Sequence, residues 1–241
     1  MENLSTILEK LNIPSNDTAE ERLDKYYHMV VEKNKVMNLT AITEEHEFLI
    51  KHFADSLSVY SAVPLFKEMI SSGKCTLIDV GTGAGFPGIP LKIIFPEIEI
   101  TLLDSLQKRV NFLNEVVAGL GLDGITAVHS RAEDGARDPK LRDGFDLVVS
   151  RAVASLPVLS EYCLPYVKPG GLLIAYKSGD IKEELEGASH ALKVLGGKLC
   201  DSPVFTLPDS DISRSFVVVK KLKLTPKAYP RKAGAIKKEP L

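Results

Sequence analysis

Cysteine is scarce: Cys75, Cys163 and Cys200 are odd in number and far apart. This excludes a disulfide framework and zinc-ligand spacing, suits a reducing compartment, and predicts three small, buried apolar thiols. Long apolar runs are also missing. No stretch approaches the roughly 20 apolar residues that span a bilayer, and MENLSTILEK, with its early Glu2, lacks the basic and then apolar regions of a secretion signal. A cytoplasmic protein is the expectation, with no membrane partner. Internal repeats are absent, and no spacing points to a metal.

The remaining composition is that of a soluble globular chain. With 241 residues, 44% hydrophobic and 26% charged, it can bury one sizeable core and a smaller accessory region. The formal net charge of −2 hides an asymmetry. Lys220 to Leu241 holds eight Lys or Arg against one acid, Glu239, so a tail of +7 follows a body of −9.

Three regions follow from periodicity. In residues 1–72 the spacing predicts helices. One spans Thr18 to Met37, with a Thr18/Glu21 capping box, and another spans about Glu44 to Ala62, with Phe48, Leu49, Phe53, Leu57 and Tyr60 on one face. Residues 73–224 carry CTLIDV, IEITLLD, ITAVHS, FDLVVS and GLLIAY between helical pieces, as expected of a mostly parallel α/β sheet buried on both faces. KLCDSPVFTL and RSFVVVKKLK should then form a hairpin adding an antiparallel edge. Residues 225–241, rich in Pro and Lys, are expected to be a flexible tail.

The stretch LIDVGTGAGFPGIPL, Leu77 to Leu91, allows two registers. Gly83, Gly85 and Gly88 satisfy G-x-G-x-x-G with Asp104 21 residues after Gly83, the fingerprint of an NAD-dependent oxidoreductase. Asp79, Gly81, Gly83 and Gly85 instead give the acid-x-G-x-G-x-G pattern of class I S-adenosylmethionine-dependent methyltransferases. Electrostatics favours the second. A carboxylate two residues before the first glycine repels a pyrophosphate and is compatible with a sulfonium and an ammonium. Pro87, Pro90 and Pro96 also confine the following helix to a length that suits a dinucleotide unit poorly.

Further polar residues fall at successive strand ends, the edge where open α/β sheets bind ligands. Asp104 is placed to accept from ribose hydroxyls, Ala132 and Glu133 to recognise the adenine amine, and Arg151 to face the ligand edge. His52 falls on an apolar helix face, either as a packing histidine or as part of an acceptor site; Lys177 ends the fifth strand. Lys227, Arg231 and Lys232 around Tyr229 can neutralise RNA phosphates.

Together with NKVMNLTAI, KHFADSL, SRAEDGA, VVSRAVASL, YVKPGGLLIAYK and YPRKAG, the FPGIP extension of the glycine loop resembles the ribosomal RNA small-subunit methyltransferase G family, also called glucose-inhibited division protein B. The resemblance covers nearly the whole chain. It implies a class I methyltransferase fold, a seven-stranded Rossmann-like sheet, S-adenosylmethionine as donor and N7 of one guanine in 16S ribosomal RNA as acceptor. It places cofactor contacts on Gly81, Phe86, Ala132, Glu133 and Arg151, beside the Gly83 and Asp104 read from the loop. An RNA-associated protein that keeps the fold without transfer activity is the non-enzymatic alternative. No catalytic residue is assigned, because guanine N7 carries a lone pair and no proton and needs no general base. The absence of a D-P-P-Y-like tetrad and of a Pro-Cys pair argues against transfer to adenine amines and to pyrimidine carbons.

Overall fold

The computed structural model describes residue 1, residues 3–151 and residues 154–241; Glu2, and Ala152 and Val153 of the VVSRAVASL motif, lie outside the described residues. The chain begins with helices α1 (Leu4–Lys10), α2 (Asp17–Met37) and α3 (Glu45–Phe48). A π-helical stretch (Leu49–Ala54) follows, then α4 (Asp55–Leu57), α5 (Val59–Ala62) and α6 (Pro64–Ser71). The sheet region runs β1 (Thr76–Val80), α7 (Gly88–Ile94), β2 (Glu99–Asp104), α8 (Gln107–Leu120), β3 (Ile125–His129), α9 (Ala132–Gly135) and β4 (Phe145–Ser150). It continues with α10 (Leu156–Cys163), a 3-10 turn (Leu164–Tyr166), β5 (Val167–Ser178), α11 (Lys182–Val194), β6 (Gly197–Asp201), β7 (Val204–Thr206) and β8 (Ser213–Lys221), and α12 (Ala233–Lys238) closes the chain.

The strands form one sheet in the order β3-β2-β1-β4-β5-β8-β6, with β7 also on β8. β1 to β5 pair in parallel, while β8 runs antiparallel to β5, β6 and β7. The expected parallel sheet with an antiparallel edge is therefore present, in seven positions rather than seven strands. Ser202 and Pro203 break the last position into β6 and β7, because proline has no N–H for a ladder.

Alternate strand residues point to opposite faces. Leu77, Leu102, Leu147, Val149 and Ile174 pack into one core with the N-terminal helices, and Ile78, Leu103, Val148, Leu173 and Ala175 into another with α10 and α11. Residues 1–72 thus share a core with the sheet. No helix among the described residues is long and apolar enough to cross a membrane.

Several expectations change in detail. The α2 cap is Asn16, whose side chain accepts from Ala19 N at 2.9 Å, rather than a Thr18/Glu21 box; Asn16 alone has the extended backbone a cap requires. The second helix is broken by the π stretch, which rotates its buried face so that His52, Asp55 and Ser56 turn inward beside Phe53 and Leu57. Cys75 and Cys163 are buried, with burial pushing both thiols up to about 12. Cys200 is exposed, since β6 is the sheet's edge strand.

The tail differs most. Residues 225–241 pack on the sheet domain, with Ile236 fully buried and Arg142 donating to Thr225 O (2.8 Å) and Tyr229 O (3.0 Å). Arg137 also donates to Pro230 O. Composition counts the tail's few apolar residues; it does not count backbone carbonyls that two arginines can hold.

Candidate functional site

The glycine loop between β1 and α7 is pinned from beneath by Asp79. This carboxylate is fully buried, and its Oδ2 accepts from Thr82 Oγ1 (2.6 Å) and from Gly88 N (2.9 Å). Its Oδ1 has no hydrogen-bond partner, and burial pushes the group up to about 6. Asp79 therefore holds the loop from below. It also occupies the α7 N-terminal N–H that a pyrophosphate would need.

The four glycines do different work. Gly81 and Gly83, at φ +75° and +63°, have nothing within 4 Å of where a Cβ would stand. A ligand can approach that backbone. At Gly85 and Gly88 a Cβ would collide with Ile89 and Leu102, so these two are needed for packing.

A cavity of about 500 Å³ opens along the ends of β1 to β4, within the range of small-molecule sites. Its walls bring together Gly81, Asp104, Ala132 and Glu133, four of the seven expected cofactor residues. Asp104 is nearly buried; Oδ2 accepts from Gly83 N (2.9 Å) and Oδ1 from Leu106 N (2.9 Å), which fixes the carboxylate at the cavity edge. Tyr166 Oη donates to Ala132 O at 2.6 Å and steadies the Ala132–Glu133 turn. Ala233 and Lys237 of α12 complete the wall, so the tail reaches the cavity.

Gly83, Phe86 and Arg151 do not line this cavity. Gly83 supports it through Asp104. Phe86 is buried beneath it, after a cis Phe86–Pro87 bond, among Tyr26, Phe48, Phe53 and His52. Tyr26 Oη also donates to Ala84 O (2.7 Å), which ties α2 to the loop. Large aromatic residues in a loop read as ligand contacts in sequence; here the ring serves the junction between helical region and sheet.

His52 lies flat on Phe86, with centroids 4.5 Å apart and planes 11° apart. Arg151 Nη2 donates to His52 Nδ1 (3.1 Å), so the proton is assigned to Nε2, which donates to Thr40 Oγ1 (2.8 Å). Burial and Arg151 push the imidazole down to about 3. It is a neutral packing histidine with both nitrogens engaged.

Arg151 faces a second cavity of about 580 Å³, lined also by Lys51, Asp55, Tyr176, Lys177 and Arg214, which meets the first at Ala154. Asp55 joins two guanidiniums, accepting from Arg151 Nη1 (3.0 Å) and Arg214 Nε (2.9 Å). Lys177 Nζ donates to Glu184 Oε1 and Ala154 O, both at 2.7 Å. Arg231 is taken by the fully buried Glu161, whereas Lys227 and Lys232 are exposed. Asp55, Arg214 and Glu161 escaped the sequence reading. A lone acid inside an apolar helical run, as in HFADSL and VLSEYCL, is the signal that marks two of them.

Glycine backbone open to a ligand, an acid closing β2 and a carboxylate after β3 define a class I methyltransferase site on a sheet of matching topology. Comparison with known proteins then gives the family. The model of the rRNA small subunit methyltransferase G family matches residues 19–213. Ribosomal RNA small subunit methyltransferase G of Lachnoclostridium phytofermentans is 52% identical, covering 97% of this chain and 94% of its own. Its namesake in Lactobacillus johnsonii is 50% identical over 97% and 96%. The chain belongs to this family.

Solved structures agree on the fold. TrmN from Thermus thermophilus is 18% identical with a TM-score of 0.51, covering 72% of this chain and 53% of its own. TYW2 of M. jannaschii, solved with AdoMet, is 16% identical with a TM-score of 0.50, covering 67% and 76%.

Proposed function

We propose that this protein transfers the methyl group of S-adenosylmethionine to N7 of one guanine in 16S ribosomal RNA, as free RNA or within the small subunit. The observation that carries the donor assignment is the first cavity, where open Gly81 backbone meets Asp104 and Glu133. The residues present fit the donor: Asp104 to take the ribose hydroxyls, Ala132 N–H and Glu133 to take the adenine edge, and Gly81 to admit the amino-acid end. When bound, the donor supplies an electrophilic methyl on a sulfonium.

The chain's own task is to position and to exclude water. Guanine N7 presents a lone pair, so no proton has to be removed before attack. His52 agrees with this: both of its nitrogens are engaged and it stays neutral far below pH 7. The dinucleotide reading is disfavoured by Asp79, which holds the α7 N–H that a pyrophosphate would use.

The exposed Lys227 and Lys232 are assigned to RNA phosphates. Arg231 and Lys177 are left out, because Glu161 and Glu184 neutralise them.

The test is a map of N7-methylguanine in 16S rRNA from cells with and without this chain. Loss of one methylated guanine is expected, and an unchanged map defeats the assignment. Calorimetry separates the donor question: binding of S-adenosylmethionine, weakened about tenfold or more in Glu133→Ala, supports the cavity, and binding of NAD instead overturns it.

A further inference from the structure

The second cavity has no part in holding the donor, yet its construction is specific. Three segments distant in sequence converge on it: the π stretch and its C-cap with Lys51 and Asp55, the end of β4 with Arg151, and the start of β8 with Arg214. With Lys177 and Glu184 they give four cations and two acids, an excess of positive charge on a chain whose formal charge is −2. Bringing Arg151 and Arg214 together costs energy, and Asp55, only 4% exposed, offsets part of it by bonding both. The remaining charge is uncompensated within the cavity, which favours an anion.

We propose that this cavity is the acceptor subsite, taking one nucleotide turned out of the RNA, with Lys51 and Arg214 on its phosphate and Asp55 as the positioning residue. The proposal rests on the methyltransferase reading above. Four observations converge on it.

The cavity lies at the carboxyl ends of β4 and β5, on the same edge as the donor cavity, and the two meet at Ala154. A group held in one is adjacent to a group held in the other, as transfer requires. Its volume of about 580 Å³ admits a nucleotide. Arginine and lysine match a phosphate, and arginine does so in a fixed geometry that Asp55 sets. Ile42 and the Tyr176 ring supply apolar wall for a base; the Tyr176 hydroxyl is held by Ser56 O at 2.8 Å. Reaching a base atom in structured RNA requires the base to leave its stack. A pocket of one-nucleotide size beside the donor meets that need.

The test uses the full chain saturated with S-adenosylhomocysteine, so that the first cavity is blocked, titrated with guanosine 5′-monophosphate and followed by amide chemical shifts. Saturable shifts at Lys51, Ser178 and Arg214 are expected, with affinity lowered about tenfold when the phosphate is omitted or when Arg214→Ala is introduced, the size of one charge-assisted contact. Arg214→Lys should recover part of it. In methyl transfer to small subunits, Arg214→Ala and Lys51→Ala should each raise KM for the subunit about tenfold while the donor Kd changes less than about twofold. Lys51 is exposed enough that its variant reports even if Arg214→Ala folds poorly. Shifts confined to other surfaces, unchanged KM in both variants, or an equal loss of donor affinity would each overturn the proposal. A wild-type chain that transfers no methyl would defeat the enzymatic reading alone, since the nucleotide titration still reports on the cavity.

Discussion

Arg231 and Glu161 form a bidentate pair across 70 residues: Nε and Nη2 donate to the carboxylate at 3.0 and 2.7 Å, and Arg231 N donates to the same group at 2.7 Å. Glu161 is fully buried while about a quarter of the Arg231 side chain is exposed. Removing one partner of such a pair leaves an unpaired group.

Glu161→Ala is therefore expected to cost about 2–3 kcal/mol, below the loss for a wholly buried pair because Arg231 can turn to water. The effect should be local. The 225–241 segment should lose hydrogen-exchange protection before the sheet does, and donor affinity should fall with it, because Ala233 and Lys237 line the first cavity. Equal protection of the segment in both proteins would show that Arg142 and Arg137 hold it unaided.

The glycines of the loop should separate into two mutational classes. Gly88→Ala forces a methyl into Leu102 and against Asp79 Oδ2, and overpacking of this kind costs about 1–3 kcal/mol or more. Gly81→Ala meets no atom and has only its positive φ to oppose it, about 1 kcal/mol. Denaturation midpoints should fall far more for Gly88→Ala, while calorimetry should show the greater loss of donor affinity per unit of stability for Gly81→Ala. The reverse order would mean that the ligand approaches the Gly88 side of the loop.

Much of this was legible in the sequence for a physical reason. β1 to β5 are buried on both faces, so their apolar runs mark them without any knowledge of neighbours, and the strand ends then place Gly81, Asp104, Ala132 and Glu133 on one edge. The π stretch was not legible, because a single extra residue per turn leaves composition unchanged and alters only the phase of burial. Phe86 and Arg151 were placed on the correct edge but not against the correct neighbours. Their contacts, His52 and Asp55, come from the helical region about a hundred residues earlier for Arg151, and no local pattern encodes that pairing. The docked tail failed for a similar reason: Glu161 lies inside an apolar helix, and its partner can be found only in three dimensions.

Two buried groups in this region make opposite demands on pH. His52 titrates at about 3 in the folded chain against a usual value of 6.5. Between these values the unfolded chain binds the extra proton, so this histidine's contribution is present above about pH 6.5 and is lost as pH falls. Asp79 is pushed up, to about 6 from 3.8. In that window the folded chain binds the extra proton, so the Asp79 contribution is present below about pH 3.8 and is lost as pH rises through 6. The two slopes partly cancel between about pH 4 and 6. Asp79→Asn keeps an oxygen to accept from Gly88 N and Thr82 while removing the charge, so it should remove only the Asp79 slope. Urea unfolding should then find the variant about as stable as wild type near pH 4 and more stable by about 1–3 kcal/mol at pH 7.5. Its stability should rise with pH more steeply than wild type across the window, because the histidine is left unopposed. A variant that loses stability at pH 7.5 would show that the charged form of Asp79 is held favourably by the loop, in conflict with its unpartnered Oδ1.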